Sequence, residues 1–184
     1  MFLSPCDESL PAGPKGNALV SREALEFALP LGRGVLFCED DIDLSPDFGL
    51  FLARAIEMDS VTWFYTHEGP KTLSLTYGPV MASLILGGDV IKPGLYPLST
   101  PRRGTQCVYI PQAALELLPL TELHGGVPID IALDRWVDRL LLRSLVALPN
   151  PVQHRHSRVA RSVQDVGIKR SLSFDLRRED QWLA

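Results

Sequence analysis

Apolar and polar positions alternate along this chain in blocks, and the blocks predict strands and helices in turn. Residues 1–17, rich in Pro, Gly and Ser, read as a loop or loose arm. Ser21 is placed to cap a short helix over 22–29, with Glu23 in its positive first turn. Leu31-Gly32-Arg33-Gly34 breaks that helix. Val35-Leu36-Phe37-Cys38 is a continuous apolar run, the pattern of a strand buried on both faces, and it ends abruptly in Glu39-Asp40-Asp41-Ile42-Asp43. Ser45 as N-cap, Pro46 at the first helical position and Asp47 in the first turn predict a second helix. Phe48, Phe51, Leu52, Ala55 and Ile56 recur at helical spacing on its core face.

Val61-Thr62-Trp63-Phe64-Tyr65 is β-branched and aromatic and predicts a second buried strand. Gly and Pro interrupt residues 67–100, which read as short strands and irregular chain. A third core strand follows over 105–110, then a helix over 111–118 opened by Pro111, and a turn at His124-Gly125-Gly126. Pro128 opens another helix with Ile129, Leu133, Trp136, Val137 and Leu140 on its inner side. Ser144 to Leu148 reads as a last strand, closed by Pro149-Asn150-Pro151. Strands alternating with helices predict an α/β fold with a mostly parallel sheet.

Composition narrows the class. At 184 residues, with 46% hydrophobic and 22% charged residues, the chain fits one globular domain. The net charge of −4 and the isoelectric point near 5.5 are not those of a strongly cationic nucleic-acid binder. From Arg155 onward, however, seven basic residues face four acidic ones, a tail at +3 against a body at −7. A solvated face is the plainer reading of that tail; a patch for phosphate or nucleic acid is the other. Cys6, Cys38 and Cys107 are widely spaced and odd in number. Cys38 and Cys107, set in apolar runs, read as small core residues, and a reducing cytoplasmic compartment fits. There is no charged-then-apolar leader, and no apolar run approaches the ~20 residues of a membrane span.

The strongest chemical signal is the buried strand running straight into three acids. In open α/β sheets ligands sit at the carboxyl ends of strands, where carboxylates can hold a hard cation such as Mg2+ or Mn2+. Neighbouring acids point different ways, so one can meet a metal while another reaches a ribose hydroxyl. Metal binding alone does not separate a transferase from a phosphatase or nuclease. A solvated acidic loop capping the next helix is the plain alternative, and it suits Asp43 and Asp47 well.

The segment from Gly34 to Phe48, with Glu39-Asp40-Asp41 at its centre, resembles the acidic metal motif, of Asp-x-Asp type, in family 25 glycosyltransferases and related GT-A enzymes. That group includes lipopolysaccharide glycosyltransferases of bacteria and similar phage enzymes. Three more stretches resemble it in order: Arg103 to Ala114, Val127-Pro128-Ile129-Asp130, and Pro149-Asn150-Pro151-Val152-Gln153-His154. Together they cover roughly residues 17–157. Each is weak alone; their order makes the resemblance moderately specific. The resemblance implies a GT-A fold, a nucleotide-sugar donor (a UDP-sugar foremost) and Mn2+ or Mg2+. It implies Asp41 as the direct metal ligand, Glu39 and Asp40 on the ribose or sharing the metal, and His154 as a later metal ligand. It implies Asp130 near the acceptor as candidate base, with Asp134, one turn on, as fallback. The chain departs from the family in one respect. The relatives carry a nucleotide-binding strand well upstream of the acidic motif, whereas only 38 residues precede Glu39 here. The implied form is therefore a shortened GT-A domain over 1–157 with a basic tail over 158–184. Such a form would use a minimal donor site or borrow contacts from a partner chain, for instance in a homo-oligomer.

The other residues carry less. His156 is a weaker ligand candidate than His154, which is placed in a loop after a strand. His67 and His124 read as surface or turn residues. Gly87-Gly88-Asp89 reads more as a tight turn than as a backbone approach to the donor, and Asp130 equally as a helix-start carboxylate or a catalytic group. Trp63 and Trp136 read as core rather than sugar platforms, and Arg102, Arg103 and Arg155 as solvent-facing rather than diphosphate-binding. G-x-S-x-G, P-loop and GxGxxG signatures are absent from the sequence. The expected activity is sugar transfer to a hydroxyl, on a lipopolysaccharide sugar or a hydroxymethylated base of phage DNA. A non-catalytic GT-A-like interaction subunit and a metal-dependent phosphoester hydrolase are the alternatives.

Overall fold

The computed structural model describes residues 14–39, 42–65, 93–98, 106–123 and 127–154. Helix α1 (Pro14–Ala28) runs through a 3-10 turn (Leu29–Leu31) into strand β1 (Val35–Cys38). Strand β2 (Ile42–Leu44), helix α2 (Phe48–Glu57) and strand β3 (Val61–Trp63) follow. Strands β4 (Gly94–Pro97) and β5 (Cys107–Ile110) precede a one-turn helix α3 (Gln112–Leu115) and a 3-10 turn (Leu120–Glu122). Helix α4 (Ile129–Arg139) and strands β6 (Ser144–Leu148) and β7 (Val152–His154) complete the described chain.

Five strands form one sheet in the order β1-β5-β3-β6-β4, and β2 pairs with β7 in a separate ribbon. The fold is mixed α/β, but the sheet is not mostly parallel. Among the described strands only β3 and β6 pair in parallel; β1–β5, β3–β5 and β4–β6 are antiparallel. The β1-α2-β3 crossover does return the chain in the same direction, as the alternation of elements predicts. It leaves a gap one strand wide between β1 and β3, and β5 fills that gap running the other way. The alternation of elements does not reveal such an inserted strand.

Side-chain alternation along the strands separates two apolar layers. One face carries Val61, Trp63, Val108, Ile110, Val146 and Leu148, packed with Leu25 and Ala28 of α1, Ala114 and Leu115 of α3, and Leu133 and Trp136 of α4. The other carries Cys107, Tyr109 and Ala147, packed under Phe48, Phe51 and Ala55 of α2. Phe48 and Phe64 meet edge to face there, centroids 5.1 Å apart. Trp63 and Trp136 are both core residues, and the Trp136 indole donates to Glu122 at 3.0 Å.

Local departures have local causes. Helix α1 begins at Pro14, not Arg22, because Pro is suited to a first helical position. Ala18, Ser21, Leu25 and Ala28 then form its buried stripe, so Ser21 is a small packing residue mid-helix rather than a cap. Strand β1 is an edge strand: Val35, Leu36 and Phe37 are half-buried and Cys38 is exposed, so it is not covered on both faces. At α2, Asp47 takes the N-cap position, and the Ser45 hydroxyl donates to the Asp47 carboxylate at 2.5 Å instead of capping the helix. Ile56 is 52% exposed, outside the core stripe. Helix α3 is cut short at Leu115. The Leu117 and Leu118 amides bond three residues back, tightening the chain ahead of Pro119.

Gly34 fits where a side chain would not. A Cβ there would fall onto the Tyr109 phenol, whose ring packs across the turn entering β1. Gly34→Ala should therefore cost about 1–3 kcal/mol by forcing that ring aside. Urea unfolding checks it, and a loss within error would mean that Tyr109 moves freely.

Candidate functional site

The carboxyl ends of β1, β3 and β6 lie at one end of the sheet, since these three strands run the same way. At that end β1 passes into the acidic run. The Glu39 amide donates to the Gln106 carbonyl at 2.9 Å, which carries the β1–β5 ladder one residue beyond the strand. Glu39 is half-buried. Asp40 and Asp41 lie outside the described residues, and the chain resumes at Ile42 in β2.

The β2–β7 ribbon draws the acidic run to the segment after β6. Ile42 is opposite His154, Asp43 opposite Gln153 and Leu44 opposite Val152. The Ser45 amide extends the ladder by donating to the Pro151 carbonyl at 2.8 Å. Both strands alternate apolar and polar residues, Ile-Asp-Leu against Val-Gln-His. Ile42 and Val152 face the cluster under α2, with Val152 fully buried. His154 is therefore in a strand and not in a loop, and its backbone lies opposite the residue that follows Asp41 in sequence. Its side chain lies outside what the structure describes. Pro149, after the cis Leu148–Pro149 bond, and buried Asn150 lead from the inner strand β6 into this ribbon.

Gln106 faces Glu39 across the ladder. Its Oε1 is shielded from solvent and has no hydrogen-bond partner among the described residues. An acceptor in that state is costly unless a donor or cation meets it. In the sequence only its place before β5 marks this residue.

Asp130 and Asp134 are on α4, which packs against the opposite face of the sheet from α2 and the ribbon. Asp130 sits in the first turn, and its carboxylate accepts the Ile131 amide at 2.8 Å. It thereby satisfies one of the amides a helix start leaves open. The two aspartates thus belong to a different layer from the ribbon.

Cys38 and Cys107 are opposite one another in the β1–β5 ladder, with their sulfurs 2.9 Å apart. Cys107 is fully buried and Cys38 exposed, so only Cys107 is the core residue the sequence suggested. The hydrogen bond from Cys107 pulls the Cys38 thiol below its ordinary range, against burial and the Glu39 charge. Burial first, and the Cys38 thiol second, push Cys107 far above its ordinary range.

Among the described residues no three His, Cys, Asp or Glu side chains gather closely enough to hold a metal ion. No helix among them is long and apolar enough to cross a membrane. His67, Gly87-Gly88-Asp89, Arg102, Arg103, His124, Arg155, His156 and the tail over 158–184 lie outside the described residues. No protein-family model matches the chain, and no curated protein or solved structure matches it either.

Proposed function

We propose that the chain is a metal-dependent glycosyltransferase that moves a sugar from a nucleotide-sugar donor, a UDP-sugar foremost, to a hydroxyl acceptor. The acceptor is a lipopolysaccharide sugar or a hydroxymethylated base of phage DNA. The observation that carries this reading is the register of the β2–β7 ribbon. It brings the Val152-Gln153-His154 segment beside the acidic run, although more than a hundred residues separate the two in sequence. The resemblance to GT-A enzymes requires these two segments to share one site.

In this reading Asp41 and His154, with Glu39 or Asp40, would hold Mn2+ or Mg2+. The carboxylates suit either hard cation, and an imidazole ligand would favour the softer Mn2+ over Mg2+. Beside Glu39 across the β1–β5 ladder, the shielded Oε1 of Gln106 would accept from a hydroxyl donor. When bound, the cation supplies charge stabilisation for the departing nucleoside diphosphate. Glu39 or Asp40 orients the ribose. Asp130, contributed from the α4 layer, would take the proton from the attacking hydroxyl, with Asp134 one turn on as the alternative base. Asp130 already accepts a helix amide through Oδ1, which leaves its second oxygen for that task.

The test is calorimetric titration of the full chain with a panel of nucleoside diphosphate sugars, with Mn2+ and again with chelator. Binding to one nucleotide class that vanishes with chelator is the expected result. A well-folded chain that binds none of the panel overturns the reading and favours an interaction subunit. Phosphate release from simple esters without any sugar acceptor favours the hydrolase.

A further inference from the structure

We propose that Cys38 and Cys107 form a reversible disulfide that staples the edge strand β1 to β5 at the point where β1 enters the acidic run. Three observations carry it. The two residues are direct partners in an antiparallel ladder, with sulfurs 2.9 Å apart. A disulfide bond of about 2.05 Å needs the sulfurs to close by only about 0.9 Å.

Their position in the ladder is also the favourable one. Glu39 and Gln106, one step along, share a backbone hydrogen bond, so Cys38 and Cys107 form the non-hydrogen-bonded pair next to it. The carbonyl of Cys107 accepts from the Phe64 amide, which turns the Cys107 backbone groups toward β3 and away from β1. In such pairs opposing Cα atoms are about 4.5 Å apart, inside the span a disulfide bridges. Finally, the two thiols differ in access. Cys38 is exposed at the sheet edge, whereas Cys107 is buried behind it. A small reagent meets Cys38 first, and Cys107 is already in place to resolve the product.

The chemistry needs an oxidant, and a low-molecular-weight disulfide supplies it by exchange. Cys38 sulfur attacks one sulfur of the reagent; the reagent's S–S bond breaks and one small thiol leaves with its proton. Cys107 sulfur then attacks Cys38 in the mixed disulfide. The protein S–S bond forms, and the second small thiol leaves with the Cys107 proton. Both cysteines are oxidised and one disulfide is reduced to two thiols.

The staple bears on the acidic run because, among the described strands, β1 pairs only with β5. Oxidation ties the Glu39 end of that edge strand to the interior of the sheet.

The full chain is incubated with oxidised glutathione, remaining thiols are alkylated, and non-reduced peptides are mapped by mass spectrometry. The same is done with Cys6→Ser, which removes the third thiol. The expected product is a cross-link between the Cys38 and Cys107 peptides with a mass loss of two hydrogens. It should bring slower amide exchange over 35–39 and a higher melting temperature, both reversed by dithiothreitol. A lasting glutathione adduct on Cys38, with Cys107 still a free thiol in the folded chain, would overturn the proposal. So would a dimer linked through Cys38. Cys107→Ala should convert the cross-link to a single adduct on Cys38, and a cross-link that survived this substitution would also count against it.

Discussion

Trp63→Ala is expected to leave the fold barely stable. Trp63 is 1% exposed on β3, the middle strand of the sheet, with β5 on one side and β6 on the other. Its indole lies in the layer that joins the sheet to α1, α3 and α4. Truncating a buried Trp removes its transfer free energy and leaves a cavity that a two-sided sheet cannot collapse into, about 3–5 kcal/mol together. Against a total stability on the order of 5–15 kcal/mol, that loss is decisive. Denaturant unfolding should show a lower midpoint at an unchanged slope. The same substitution separates core from sugar platform. Trp63 as a core residue lowers donor binding only in proportion to the unfolded fraction. A stable Trp63→Ala chain with weakened donor binding would refute the core reading.

Where one element decides its own structure, the sequence was readable. The stripe Ile129, Leu133, Trp136 and Val137 is buried along α4, and Val61 to Tyr65 are buried at β3. β6 spans Ser144–Leu148, where the apolar run placed it. What escaped depends on partners distant in sequence. Nothing in Val35 to Cys38 reveals that it lies at the sheet edge, because a half-covered strand and a fully covered one share the same apolar run. Nothing in the alternation of elements reveals that β5 inserts antiparallel between β1 and β3. β7 was hidden for a different reason. Three residues after two prolines look like loop, and their strand character exists only because Ile42 to Leu44 lie opposite. The matching alternation in the two short segments was the available signal.

The candidate site divides in the same way. The acidic run was conspicuous because charge directly after an apolar strand is costly without a compensating ligand. Asp43 separates from it as an exposed ribbon residue opposite Gln153. Gln106 and the cysteine pair were invisible in sequence, because each matters only through the β1–β5 register.

Under the proposed glycosyltransferase reading, Asp41→Ala abolishes metal-dependent donor binding while leaving the fold intact. Substitutions that merely support a metal ligand cost about 10–100-fold in affinity, so loss of the direct ligand should exceed ~100-fold. Stability should hold or rise slightly, since one of three adjacent like charges is removed. That opposition of sign makes the experiment informative. A binding loss that came from unfolding would be accompanied by a lower melting temperature, whereas loss of a ligand would not. In chelator, wild type and Asp41→Ala should be indistinguishable. His154→Ala should move binding in the same direction by a smaller factor, because the carboxylate holds most of the charge. The double variant should be little worse than Asp41→Ala alone, as expected of two groups serving one ion. Additive losses would mean that Asp41 and His154 act at separate places, and the ribbon register would then be a feature of the fold rather than of a donor site.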